Sequence, residues 1–146
     1  MSVVSYRKAA RKRLAQLLTP ALVGDGLPAQ AVYDHQTGDF RGQTPVVAVT
    51  SGPANHEPNG FGCSKAAFQL IVFAFVAYSA DGGWTEADAE DALDDIEAIV
   101  AAVVGANSRT EAWDKIGYNG PTNPDTVVIG GVEYRRELIV LDVQLF

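Results

Sequence analysis

The residues best suited to chemistry are two histidines, one cysteine and a run of acids. His56, Glu57 and Cys63 share one segment, and all three side-chain types can bind zinc. Their number is too low and their spacing matches no common zinc site, so a metal is the less favoured interpretation. Neither His35 nor His56 lies beside a plausible nucleophile, and no hydrolase, phosphate-loop or dinucleotide motif is present. From the sequence we therefore expect that the protein is not an enzyme, and we expect no catalytic residue, no metal and no cofactor.

Seven of the 18 acids lie on one predicted helix, residues 85–104. Asp91, Asp94 and Asp95 fall opposite its apolar stripe, where like charges are kept for solvation. Two acids one turn apart can share Mg²⁺ or Ca²⁺, but full coordination needs six or more oxygens from several elements. The favoured interpretation is a solvated or lumen-facing acidic surface, with a cation site as the alternative.

The same helix has a start signal, an apolar face and a stop signal. Thr85 is a suitable N-cap, and Gly105 suits a left-handed stop. From Ala98 onward the outer face changes from acids to alanines, including Ala102. A helix that is apolar all round is buried all round. We therefore expect its second half to pack against another helix or another subunit.

A basic first helix is predicted over residues 4–18, with Pro20 and Gly24-Asp25-Gly26 closing it. Five of the eleven bases of the chain lie at its start, although the net charge is −7. Among them are Arg7, Arg11 and Lys12. These bases indicate a solvated helix exterior, a salt-bridged contact with an acidic neighbour, or contact with phosphate. The rest of the chain is acidic, which argues against a second surface that binds a nucleic-acid duplex.

Strands are predicted at 31–33, 45–50, 66–79, 126–129 and 132–146, with Gly130-Gly131 as a hairpin turn. Residues 51–64 and 105–125 are predicted loops, the second with a helical piece at 111–116. Strand 66–79 is apolar in both alternating sets and would run about 45 Å. It either bends or projects beneath another chain. Arg135 and Arg136 indicate an exposed strand end or ion pairs across a subunit contact.

These elements predict one domain over residues 1–146 with an α+β fold. We expect a mixed, mostly antiparallel sheet, two α-helices packed on one face, and a long β-hairpin or extended strands. No apolar stretch reaches the roughly 18 residues of a membrane span, so no membrane partner is expected. A secretory signal is not expected either, because the basic start lacks an unbroken apolar core.

The arrangement resembles the tail-terminator and tail-completion (neck) proteins of long-tailed bacteriophages. The resemblance covers nearly the whole chain and is carried by YRKAARKRLAQLL, AVYDHQTGDF, TPVVAVTSG, FQLIVFAFVAYS, GGWTEADAEDALDDIEAIVAAV and YRRELIVLDVQLF. It implies a homohexameric ring that ends the tail tube, halts its polymerisation and docks to the head connector. The genome would pass through its lumen without sequence-specific binding. The implied location is the tail-neck junction of the virion, after assembly in the host bacterial cytoplasm.

Two further hypotheses stay open. One is another head-tail connector or head-closure protein. The other is a regulatory α+β domain that binds a small molecule near Trp84, Trp113 and residues 55–63. For a ring-forming protein, the candidate subunit-interface or lumen residues are Arg7, Arg11, Lys12, Asp91, Asp94, Asp95, Ala98, Ala102, Arg135 and Arg136.

Overall fold

A computed structural model describes residues 5–55, 66–78 and 85–146. Within these ranges the chain forms two helices and six strands. In chain order they are α1 (Tyr6–Leu22), β1 (Ala31–Tyr33), β2 (Val46–Asn55), β3 (Ala66–Ala77), α2 (Glu86–Ala106), β4 (Lys115–Tyr118), β5 (Asn123–Ile129) and β6 (Val132–Leu145). No helix in these ranges is both long enough and apolar enough to cross a membrane.

All six strands join one mixed sheet, in the order β1-β2-β3-β6-β4, with β5 also paired to β6. The β1–β2 pair is parallel, and every other pair is antiparallel. Both helices pack on one side of this sheet, which we call the helix face; the opposite side is the outer face. The predicted α+β fold, with a mostly antiparallel sheet and a long hairpin, is confirmed.

The long apolar strand β3 is the centre of the sheet. All twelve of its residues pair with β6, and most of its length also pairs with β2. The sequence predicted that this strand bends, or that one end projects and is covered by another chain, and both alternatives stay predictions. Its two neighbours are also long, with 10 residues in β2 and 14 in β6. Beside it, β2 continues to Asn55, beyond the predicted end at Thr50.

A bulge lies in β2 between Ser51 and Ala54. Gly52 lies inside it, and a Cβ atom there would come within 3.0 Å of the Gln69 backbone oxygen of β3. The close approach of the two backbones therefore favours glycine at this position.

β4 and β5 lie end to end along one edge of β6. β4 pairs with the C-terminal part of β6, and β5 pairs with its N-terminal part. Between them, the Asn119 backbone N–H donates to the Val140 carbonyl at 2.8 Å. The helical piece predicted at 111–116 is wrong, because a turn precedes β4 there. The polar and glycine residues of this segment give no local strand signal. The strand forms because the segment pairs with β6.

Helix α1 continues past Pro20 and ends at Leu22, so Pro20 is not the predicted stop, and the helix ends just before Gly24-Asp25-Gly26. Proline removes the backbone N–H that would bond to the carbonyl of Gln16. Both Pro20 and Gln16 are exposed, so water can satisfy that carbonyl. Leu18 and Leu22 are fully buried and keep the last turn packed on the sheet.

Helix α2 begins as predicted, with Thr85 as N-cap. The Thr85 hydroxyl accepts from the Asp88 N–H at 3.1 Å, and the Asp88 carboxylate accepts from the Thr85 N–H at 3.2 Å. The predicted stop at Gly105 is wrong: the helix continues to Ala106, and Asn107 is the C-cap. The Asn107 side chain donates to the Val103 carbonyl at 2.9 Å, so a polar cap ends the helix without a left-handed glycine.

Two hydrophobic cores lie on opposite sides of the sheet. The larger core fills the space between the helices and the helix face and contains Leu14, Ile96 and Leu141. The smaller core is on the outer face and consists of Phe40, Val46, Ala48, Phe75 and Tyr134. Phe40 belongs to the loop between β1 and β2, so a loop rather than a helix covers this second core.

Candidate functional site

The outer face of the sheet is covered along only part of its length. Phe40 packs against the rings of Phe75 and Tyr134, with ring centroids 4.9 and 5.3 Å apart. Further along the same face, Ile71 pairs in register with Val140, and Phe73 pairs with Leu138. These four side chains are half-exposed, and we call them the open strip.

The open strip is separate from the larger core. Ile71, Leu138 and Val140 do not pack against either buried core, and no other described element covers them. Apolar side chains in adjacent register positions form a continuous surface, and contiguous apolar surface of this kind marks interaction sites. Within the described ranges, it is a partly exposed apolar surface of the sheet and a candidate for contact with another protein chain.

An arginine marks the boundary between the covered core and the open strip. The Arg136 guanidinium lies 5.1 Å from the centre of the Phe73 ring, a cation–π distance. Its Nε donates to the Asp125 carboxylate at 2.8 Å, and a second nitrogen donates to the other carboxylate oxygen. This hydrogen bond lowers the pKa of Asp125 and raises the pKa of Arg136. The sequence suggested an exposed strand end or a partner across a subunit contact, but Asp125 belongs to the same chain.

Arg135 points to the helix face and forms an ion pair with Glu90 of α2. The pair ties the start of β6 to the first half of the acidic helix. Neither arginine is therefore an unpaired strand end, and both use carboxylates of their own chain. Their place at a subunit interface stays a prediction.

The basic helix α1 also has contacts inside the chain. Arg7 donates to the Gly52 carbonyl at 2.8 Å, and Arg11 donates to the Ser51 hydroxyl at 3.1 Å. Lys12 pairs with Asp34 at 3.4 Å, so the interpretation as a salt bridge applies to this residue within one chain. Arg7 and Arg11 hydrogen-bond to neutral groups, and these contacts leave their positive charge uncompensated.

The acidic side of α2 is exposed. Asp91, Asp94 and Asp95 face solvent, and no described cation forms an ion pair with them. Further along the helix Ala98, Ala101 and Ala102 are exposed as well, and we call these three the alanine surface. The sequence predicted that this half of the helix is packed on all sides. Within the described chain no helix covers the alanine surface, so a contact with another subunit stays a prediction.

The two helices place their charges at opposite ends of the helix layer. Arg7 and Arg11 contact residues 51–52, near the end of β2. The acids of α2 lie beside Pro45, just before β2 begins, in a groove of about 590 Å³. The groove is lined by Leu27, Pro28, Ala29, Gln30, Thr44, Pro45, Asp88, Asp91, Ala92 and Asp95, and we call it the acidic groove.

The residues considered for metal or small-molecule chemistry are placed as follows. Residues 56–63 and Trp84 lie outside the described ranges. In the part of the chain that the structure describes, no group of three His, Cys, Asp or Glu residues could hold a metal ion. His35 contacts Asp34 on the surface at 2.8 Å, which lowers the pKa of that carboxyl.

Trp113 is buried, with 1% of its surface exposed, and its indole N–H donates to the Asn107 carbonyl at 2.8 Å. It fills the edge of the larger core at the end of α2. A ligand could reach its ring only by opening that core.

The sequence interpretation missed Phe40 and the β6 half of the open strip. Phe40 sits between turn residues, and a lone aromatic in a loop does not show which surface it covers. Leu138 and Val140 alternate with the buried Ile139 and Leu141, a pattern of a strand apolar on both faces. The residue pattern of β6 is therefore the same signal that predicted a strand apolar on both faces for β3.

No protein-family model matches this sequence, and a search of curated proteins finds no match.

Proposed function

We propose that this chain is a structural virion protein that forms a homo-oligomeric ring at the end of a phage tail tube. The ring terminates tube polymerisation and joins the tail to the head connector. The observation that carries the proposal is the open strip on the central strands β3 and β6, where Ile71, Leu138 and Val140 pack against neither core of the described chain. Apolar surface at the centre of a sheet favours a role in protein–protein contacts.

The exposed surfaces of α2 support the same role. The alanine surface offers small side chains that allow close approach of another backbone. A closed ring needs a heterologous interface, in which two different surfaces of each copy meet. A chain with several distinct uncovered surfaces suits that requirement better than a monomeric binding domain does.

The exposed acids suit a conduit for DNA. Asp94 lies outside the acidic groove, has no cation partner in the described ranges and supplies negative potential in every copy. A negative surface repels phosphate, so DNA would pass through the ring without being held. The tail tube protein and the connector are the partners proposed for the two ends of the ring.

The decisive experiment polymerises a tail tube protein with and without this chain and measures tube length by electron microscopy. We expect tubes to stop growing and to carry a ring at one end. Phe73→Lys places a charge in the open strip and should abolish capping. Thr126→Lys adds the same charge at an exposed position of β5 and should leave capping intact.

Other results would change the assignment. Tubes of unchanged length would refute termination of the tube. Rings that bind the connector but not tubes would favour a head-closure protein. A monomer that gains thermal stability with a small molecule would favour the ligand-binding alternative, because a ligand that binds the native state raises its stability.

A further inference from the structure

We propose that copies of this chain join head to tail, with the first turns of α1 of one copy seated in the acidic groove of the next. This inference rests on the proposed ring and specifies which two surfaces form its repeated contact. It follows from the chemistry of the two surfaces and from their positions at opposite ends of the helix layer.

The acidic groove is lined by both apolar and acidic side chains. Leu27, Pro28 and Pro45 line it beside α2, and Leu27 leaves 38% of its surface exposed. Asp91 and Asp95 also line it, are exposed, and have no described cation partner. An occupant that satisfies this groove carries positive charge and an apolar group close together.

The start of α1 carries both groups within six residues. Tyr6 is an aromatic side chain with 38% of its surface exposed. Lys8 is exposed, and its side chain forms no ion pair with a described residue. Arg7 is exposed and hydrogen-bonds to a neutral carbonyl, so its charge stays available to a carboxylate. Tyrosine and arginine are also among the residues enriched at protein interfaces.

The two surfaces cannot meet within one copy. The groove begins just after the end of α1, where the Ala29 N–H donates to the Leu22 carbonyl at 2.9 Å. The 17 residues of α1 span about 25 Å and separate this groove from Tyr6. A contact between different ends of two identical chains is heterologous, and it produces a ring when the rotation closes.

The test uses charge reversal in the full-length chain, with assembly measured by light scattering over a range of concentrations. The groove variant is Asp91→Lys with Asp95→Lys, and the helix variant is Arg7→Glu with Lys8→Glu. Each should raise the concentration for half-assembly by about tenfold or more, because each places like charges together. Lys8→Glu alone repeats the second test without disturbing the bond from Arg7 to Gly52. Asp94→Lys, on the same helix but outside the groove, is the matched control and should assemble like the wild type.

Mixing the two variants separates a direct contact from a general charge effect. The reversed groove of one variant fits the reversed helix of the other, and their remaining surfaces fit as in the wild type. An equimolar mixture should therefore form rings with alternating copies and recover assembly. A chain that carries all four substitutions should also assemble by itself, at a concentration close to that of the wild type.

Three results would overturn the inference: a wild type that stays monomeric at every concentration, reversals that leave assembly unchanged, or a mixture that does not recover. Circular dichroism and thermal unfolding of each variant identify any that fail to fold. Tube capping separates this inference from the proposed function. Charge-matched rings that do not cap tubes refute the terminator and leave the contact intact. Capping that both reversals leave unchanged refutes the contact and keeps the terminator.

Discussion

The two faces of one sheet are stabilised in different ways. On the helix face, Val72, Ile139 and Leu141 are fully buried beneath two amphipathic helices. On the outer face, one loop residue, Phe40, buries a smaller aromatic cluster, and the open strip beside it stays half-exposed. Adjacent residues of a strand point to opposite faces, so neighbours in sequence experience both environments. We infer that burial on the helix face provides most of the folding stability, and that the outer face is the side available for contacts with other protein chains.

Truncation of two neighbouring residues of β3 tests whether the two faces contribute differently to stability. Leu70 is fully buried on the helix face, whereas Ile71 belongs to the open strip. Leu70→Ala should lower the free energy of unfolding by about 2–5 kcal/mol, because it removes transfer energy and leaves a cavity. Ile71→Ala should cost about 1 kcal/mol or less, because its side chain is already partly in water. Urea unfolding of the monomer measures both, and equal losses would contradict the assigned difference between the faces.

Truncation of Phe40 tests the part of the outer face that this side chain covers. Phe40→Ala should cost about 3 kcal/mol, since Phe40 is 1% exposed and contacts Phe75 and Tyr134. Phe40→Leu keeps most of the apolar volume and should lose less. The measurement is urea unfolding followed by circular dichroism. A loss below about 1 kcal/mol would mean that the loop adds little stability and that the whole outer face is open.

The N-cap of the acidic helix α2 tests how much the helix end contributes to stability on the helix face. Thr85→Ala removes the oxygen that accepts from the Asp88 N–H and should cost about 1 kcal/mol. Thr85→Ser keeps the capping oxygen and should retain most of the stability. Thermal unfolding compares the two variants. If Thr85→Ala and Thr85→Ser are equally stable, the cap does not contribute to holding α2 on the sheet.

The smallest effect concerns the ion pair at the edge of the open strip. Arg136 lowers the pKa of Asp125 below the ordinary value of 3.8, so the folded state favours the charged carboxylate. The stabilisation is present above that ordinary pKa and is lost as the pH falls through the lower pKa of the folded state. Asp125→Asn should cost about 0.5–1 kcal/mol at neutral pH, because the pair is partly exposed.

The difference between Asp125→Asn and the wild type should shrink as the pH falls below 3.8. Asp25→Asn changes an exposed acid without a described partner and serves as the control. Unfolding in urea at neutral and acidic pH measures both variants. A difference that persists unchanged in acid would mean that the ion pair is not its source.

The helices and most strands could be predicted because their signals are local. The apolar stripe and Thr85 define α2, and Gly130-Gly131 defines the turn of the long hairpin. Three boundaries could not be predicted from local signals. Pro20 remains inside α1 because buried leucines hold the last turn, Gly105 remains inside α2 because Asn107 caps it, and β4 forms because β6 offers a free edge.

The candidate surfaces also combine features that the sequence determines with features that depend on the tertiary structure. The residue pattern alone established a basic helix, an acidic helix and a strand apolar on both faces, since composition and periodicity are properties of the chain. Folding decided that Arg135 and Arg136 are paired within the chain, that Phe40 covers half of the outer face, and that the two charged clusters lie at opposite ends. These features depend on register, on loop path and on the antiparallel placement of two helices, and long-range packing sets all three.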